Sequence, residues 1–176
     1  MENTKKNKNN VSSKTRTLVS ASLFATLICV TTAYFLHIPV ANAGYAHIGD
    51  AFIYLAAVLL PTPYAALSAA IGSGLADILT GSVNWVFATI IIKPILVLFF
   101  TNKSNKIINI RNISAAVLAG IVGTVLYMIA EGIMYGSFKA AFALSIIGLV
   151  QPIGSFIVFI TMGIVFDKMK VKELTK

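Results

Sequence analysis

The chain has 176 residues, 57% of them apolar and 11% charged, with a formal net charge of +8. Soluble domains average about 45–50% apolar and about 25% charged residues, so this chain is too poor in charge to cover itself with water, and a mean hydropathy of +0.86 points to lipid as its solvent. A spanning helix takes ~20 residues, which leaves room for six or seven spans and excludes a large soluble catalytic domain.

Residues 1–16 are polar and basic and read as a cytoplasmic tail. Residues 17–38 are almost wholly apolar and long enough to cross. A basic segment before this run and Ala41-Asn42-Ala43 after it resemble a secretory leader, but the run exceeds the 7–15 apolar residues usual for one. It is therefore expected to stay as the first span. Residues 48–60 form a short second run with Asp50 near its start, ended by Pro61-Thr62-Pro63. Proline lacks a donor and disfavours helix before it, yet Pro63 suits the first turn of the next helix. That helix, residues 64–79, is rich in Ala, Gly and Ser, which let backbones approach closely in lipid. A fourth span covers residues 84–100. A polar, basic loop follows over 101–112, then a fifth span over 113–135. The sixth, 139–166, is long and expected to bend at Pro152.

Twelve of the fourteen Lys and Arg residues fall in three clusters, within 5–16, 103–111 and 168–176. With six spans, all three lie on one side, and the positive-inside rule makes it the cytoplasm. The opposite loops carry only Lys139, at an edge. The expected fold is thus an all-α membrane protein of six transmembrane helices with both termini cytoplasmic. It comprises a tail over 1–16, a membrane domain over 17–166 and a basic tail over 167–176. No aromatic residues interleave with the basic clusters as a base-stacking surface requires, so no nucleic-acid partner is expected.

The phosphate-cradling, zinc-protease and nucleophile-elbow motifs are all absent. His37 and His47 stand ten residues apart without further ligands at metal-binding spacing, and Cys29 is the single cysteine. No cofactor or metal is called for. The informative residues are polar ones at membrane depth, where an ionisable group is expensive and by default marks a functional site. Lys93 lies nine residues into the fourth span, ~13 Å from its outer end. Trp85, Thr89 and Lys93 recur every four residues on one stripe. Tyr127, Glu131 and Tyr135 share a face of the fifth span, continued inward by Thr124 and Gly120. Asp77 and Asp50 lie near the outer ends of their helices, and Gln151 lies within the sixth. These groups, with the loop 42–47, can form a cup open to the outside. The plainer alternatives are a structural Lys93–Glu131 ion pair, helix capping by Asp50 and Asp77, and aromatic anchoring at the interface by Tyr45, Trp85 and Tyr135. In the first span, Ala21 and Ala25 make an Ala-x-x-x-Ala strip, suited to helix contact inside or outside the chain.

With this strip and these six spans, the chain resembles the substrate-binding S component of an energy-coupling factor (ECF) transporter. His47-Ile48-Gly49-Asp50-Ala51, Pro63-Tyr64-Ala65-Ala66-Leu67, Gly72-Ser73-Gly74-Leu75-Ala76-Asp77 and Ile92-Lys93-Pro94 are similar to the subgroup for hydroxymethylpyrimidine or pyridoxine-type vitamins. The resemblance implies a bacterial plasma-membrane subunit, not itself an enzyme, that captures a small vitamin or precursor from outside. It implies docking through Ala21 and Ala25 on a transmembrane T component that joins two ATPase subunits. On this view Trp85, Tyr127 and Tyr135 stack on a heteroaromatic ring. Asn84, Lys93, Glu131 and Gln151 read its polar groups, and Tyr45 and His47 form a lid. The alternative is a stand-alone membrane carrier or channel without an ATPase partner.

Overall fold

The computed structural model describes residues 2–35, 38–39 and 45–174. His37, the motif at 41–43, the outer-loop residues 42–44 and Lys176 lie outside the described residues. The described chain is helical: α1 (Glu2–Tyr34), α2 (Asp50–Leu59), α3 (Thr62–Leu79), α4 (Val86–Val97), α5 (Ile110–Tyr135), α6 (Phe138–Gly148), α7 (Val150–Lys168) and a final turn, α8 (Val171–Leu174). A single 3-10 turn at Val83–Trp85 leads into α4. An all-helical reading misses one detail, a two-residue antiparallel pairing of β1 (Ile38–Pro39) with β2 (Tyr45–Ala46).

Among the described residues, three helices are long and apolar enough to cross a membrane: Ser13–Tyr34, Ile110–Tyr135 and Phe138–Lys168. Large apolar side chains cover the outside, among them Ile110 (86% exposed), Phe87 (77%) and Ile133 (70%). An apolar exterior of this extent suits lipid, not water.

α2 is apolar all round and buried from Asp50 to Val58 except at Phe52, the pattern of a central helix. At ten residues it is ~15 Å long, and α1, α3, α4 and α7 pack around it. Its Tyr54 stacks on Phe100 at 4.9 Å and meets Phe159 edge-on at 5.8 Å, closing the core below.

The α1–α3 seam is closely packed. The Ser68 hydroxyl donates across it to the Ala21 carbonyl at 2.8 Å. A Cβ at Gly72 would meet the Ala25 carbonyl at 2.5 Å and Ile28 at 2.9 Å, so only glycine permits this approach. Ala21 is buried in the seam and Ala25 half-buried beside it; Ala21 therefore packs internally.

Three boundaries differ from expectation. The backbone of α1 is already helical at Glu2, well before the apolar run. The sixth span breaks at Leu149, between α6 and α7, rather than at Pro152. The reason is steric: proline disturbs the turn before it, clashing with the carbonyl four residues back, here that of Gly148. The loop after α4 is not merely polar. Asp167 accepts the Ile107 and Ile108 amides at 2.7 and 2.9 Å, and the fully buried Asn112 ties Thr101 to Ile107. Asn109 caps α5 by accepting the Asn112 amide, and Gly136 ends it with φ 70°, a left-handed cap that glycine adopts without strain.

Gly72→Leu is expected to overpack the α1–α3 seam and cost about 1–3 kcal/mol, whereas Ser68→Ala should cost about 1 kcal/mol. Thermal unfolding in detergent checks both; a Gly72→Leu protein as stable as the parent would contradict the seam.

Candidate functional site

Helix direction sets where the polar residues meet. α2 and α4 begin, and α3 and α5 finish, at the end of the bundle carrying β1 and β2; the loop after α4 and the end of α7 lie at the other. Between them lies a cavity of about 140 Å³, lined toward the β1–β2 end by Ala46, Asp77, Trp85 and Glu131 and at depth by Leu96, Ala119 and Gly120.

A buried ion pair forms its floor. The Lys93 ammonium donates to Asp50 Oδ1 at 2.6 Å, and the Gln151 amide donates to Asp50 Oδ2 at 2.8 Å. Lys93 is 2% exposed and Asp50 4%. Isolated charges at such depth would cost several kcal/mol each; paired and hydrogen-bonded, they persist. Both carboxylate oxygens of Asp50 are occupied, so Asp50 holds Lys93 and Gln151 in place. That leaves the Gln151 carbonyl and the other ammonium protons of Lys93 for a guest.

Aromatic rings make the wall. The Lys93 ammonium lies 5.0 Å from the centre of the Tyr127 ring, within cation–π range. The Tyr127 hydroxyl donates to Thr89 Oγ1 at 3.0 Å, fixing the ring. Trp85 tilts against Tyr127 at 5.9 Å and Tyr135 at 6.3 Å. His47, buried at the mouth, accepts the Gly49 amide on Nδ1 at 3.0 Å.

Of the residues singled out from sequence, His47, Trp85, Lys93, Tyr127, Glu131 and Gln151 line this one cavity. Tyr135 touches it only through Trp85 and is 39% exposed; Asn84 is exposed and away from it. Tyr45 lies in β2, and only its backbone is described. The partner of Lys93 is Asp50, not Glu131. Asp50, Asp77 and Thr89 belong to the lining, as do Leu144 and Ser145 of α6. The acids were visible near helix ends in the sequence, but only folding aims them inward. The α6 pair carries no sequence signal.

The family described as ECF-type riboflavin transporter, S component, matches residues 12–170. The chain belongs to this family. It is thus a membrane component of vitamin uptake, in a family whose role is substrate binding within an ECF transporter. Neither the curated proteins nor the solved structures hold a match.

Asp50→Asn should strand the Lys93 ammonium in the core and cost about 3–5 kcal/mol. The double change Asp50→Leu with Lys93→Met removes both charges and is expected to recover most of that loss. Melting curves of the detergent-solubilised proteins decide it; equal losses in the single and double variants would show that the pair is not the source.

Proposed function

We propose that this S component captures a small planar heteroaromatic vitamin or precursor from the cell exterior. The observation that carries the reading is the Asp50–Lys93–Gln151 floor beside the Trp85 and Tyr127 rings, all lining one cavity. The ring stacks on Trp85 and Tyr127, Lys93 and Gln151 bind its ring nitrogens or hydroxyls, and Glu131 meets it at the mouth. Tyr45 and His47 act at the entrance, and Tyr135 steadies Trp85.

Size favours a small ligand. A cavity of about 140 Å³ far exceeds the roughly 10–15 Å³ that one water needs and gives room for a substituted ring of the hydroxymethylpyrimidine, pyridoxine or thiamine-pyrimidine kind. Riboflavin, named by the matching family, is the second candidate. Its larger ring system would have to extend through the open mouth.

The membrane domain spans residues 17–166 in six crossings, with α6 and α7 counted as one broken span. The basic tails over 1–16 and 167–176 and the 101–112 loop face the cytoplasm of a bacterial cell. The distribution of Lys and Arg supports this orientation, and it turns the cavity outward. ATP is hydrolysed by two partner ATPases, joined through a transmembrane T component. That component docks on the small-residue strip of α1, where half-buried Ala25 is more accessible than Ala21.

Trp85→Ala is expected to weaken vitamin binding roughly tenfold through lost ring contact, and the Asp50→Leu/Lys93→Met pair to abolish it with the fold intact. Calorimetric titration with riboflavin, pyridoxine and hydroxymethylpyrimidine checks both; unchanged affinity in both variants would remove the cavity from the reading. Ala25→Leu should block vitamin uptake while leaving binding untouched. Co-purification with a larger membrane subunit and two ATPases is expected. Uptake by the chain alone in vesicles would favour the stand-alone carrier instead.

A further inference from the structure

The cavity lining is electrically one-sided. Among the described residues its carboxylates are Asp50, Asp77 and Glu131, its only permanent cation is Lys93, and no arginine lines it. Lys93 is paired with Asp50 at 2.6 Å on the floor, which balances its charge while leaving its other protons to donate. Asp77 and Glu131, both buried, hold the wall and mouth that a guest passes. Counted by residue type, the described lining holds three carboxyl groups against one lysine and one histidine, so acidic groups outnumber basic ones. Helix ends do not reverse the sign, because α2 and α4 begin at this end while α3 and α5 finish there.

A desolvated site strengthens every such interaction, since water no longer screens it. An anion entering it would be stripped of water and set beside like charge. A neutral ring bearing N–H or O–H donors, or a protonated one, meets acceptors and aromatic faces instead.

Resting on the vitamin-capture reading, we infer that the site selects by charge. It admits the neutral or cationic form of a heteroaromatic vitamin and rejects its phosphate ester. Asp77 and Glu131 are the specificity-determining residues. A reaction that phosphorylates the ligand after entry would then make import one-way, because the product no longer fits the site that admitted it.

The test titrates the full chain in lipid nanodiscs with matched pairs: pyridoxine and its 5′-phosphate, hydroxymethylpyrimidine and its phosphate, riboflavin and its 5′-phosphate. Like-charge juxtaposition penalises wrong partners heavily, so for whichever parent binds, the ester should bind at least about a hundredfold more weakly. Asp77→Asn and Glu131→Gln remove charge without changing bulk, and each should narrow the parent-to-ester ratio by about tenfold or more. An ester held as tightly as its parent by the unaltered chain overturns the inference without variants and leaves vitamin capture standing. A ratio unchanged in both variants also overturns it, assigning the discrimination to size. Binding of neither member of any pair means that the capture reading itself has failed, and the charge rule with it.

Discussion

The contact between Lys93 and Asp50 governs this fold. Two opposite charges 2.6 Å apart, each almost wholly buried, are tolerable in an apolar bundle only when held together and hydrogen-bonded on their remaining atoms. That demand constrains three helices at once. α2 has to start at Asp50, deep among its neighbours, which is why it is short and apolar on all sides. α4 has to bring Lys93 to it from the facing wall. The chain after α6 has to break before Pro152 so that Gln151 reaches the second carboxylate oxygen. A space lined by polar atoms is what remains between them.

The surroundings divide the remaining work. Below the floor, Tyr54, Phe100 and Phe159 close the core with ring contacts. Above it, Trp85 and Tyr127 turn their rings toward the space, and the Tyr127 hydroxyl is kept busy by Thr89. At the far end, Asp167, Asn109 and Asn112 satisfy the amides and carbonyls of the loop after α4, so that end is tied together by polar contacts while the cavity-lining groups gather toward the other.

Much of this was legible in the residues. The composition, the spacing of apolar runs and the placement of basic clusters indicated a membrane bundle. The four-residue recurrence of Trp85, Thr89 and Lys93 marked a stripe that does line the cavity, as does the stripe from Gly120 through Thr124 to Tyr127 and Glu131. Periodicity works here because residues four apart share a helix face whatever the helix packs against. Tyr135, on the same face at the last turn of α5, is instead 39% exposed and meets the cavity through Trp85.

The sequence by itself determined that the chain is a membrane protein, which face of each helix is polar, and which charges are too deep to be incidental. Only the tertiary structure decided which charge meets which: Lys93 chose Asp50 over Glu131, and Ala21 turned inward to Ser68. A helix's own pattern states what its faces carry, whereas pairing depends on the rotation and depth of neighbouring helices. Those are set by close contacts, such as Gly72 against Ala25, that no single stretch of sequence contains.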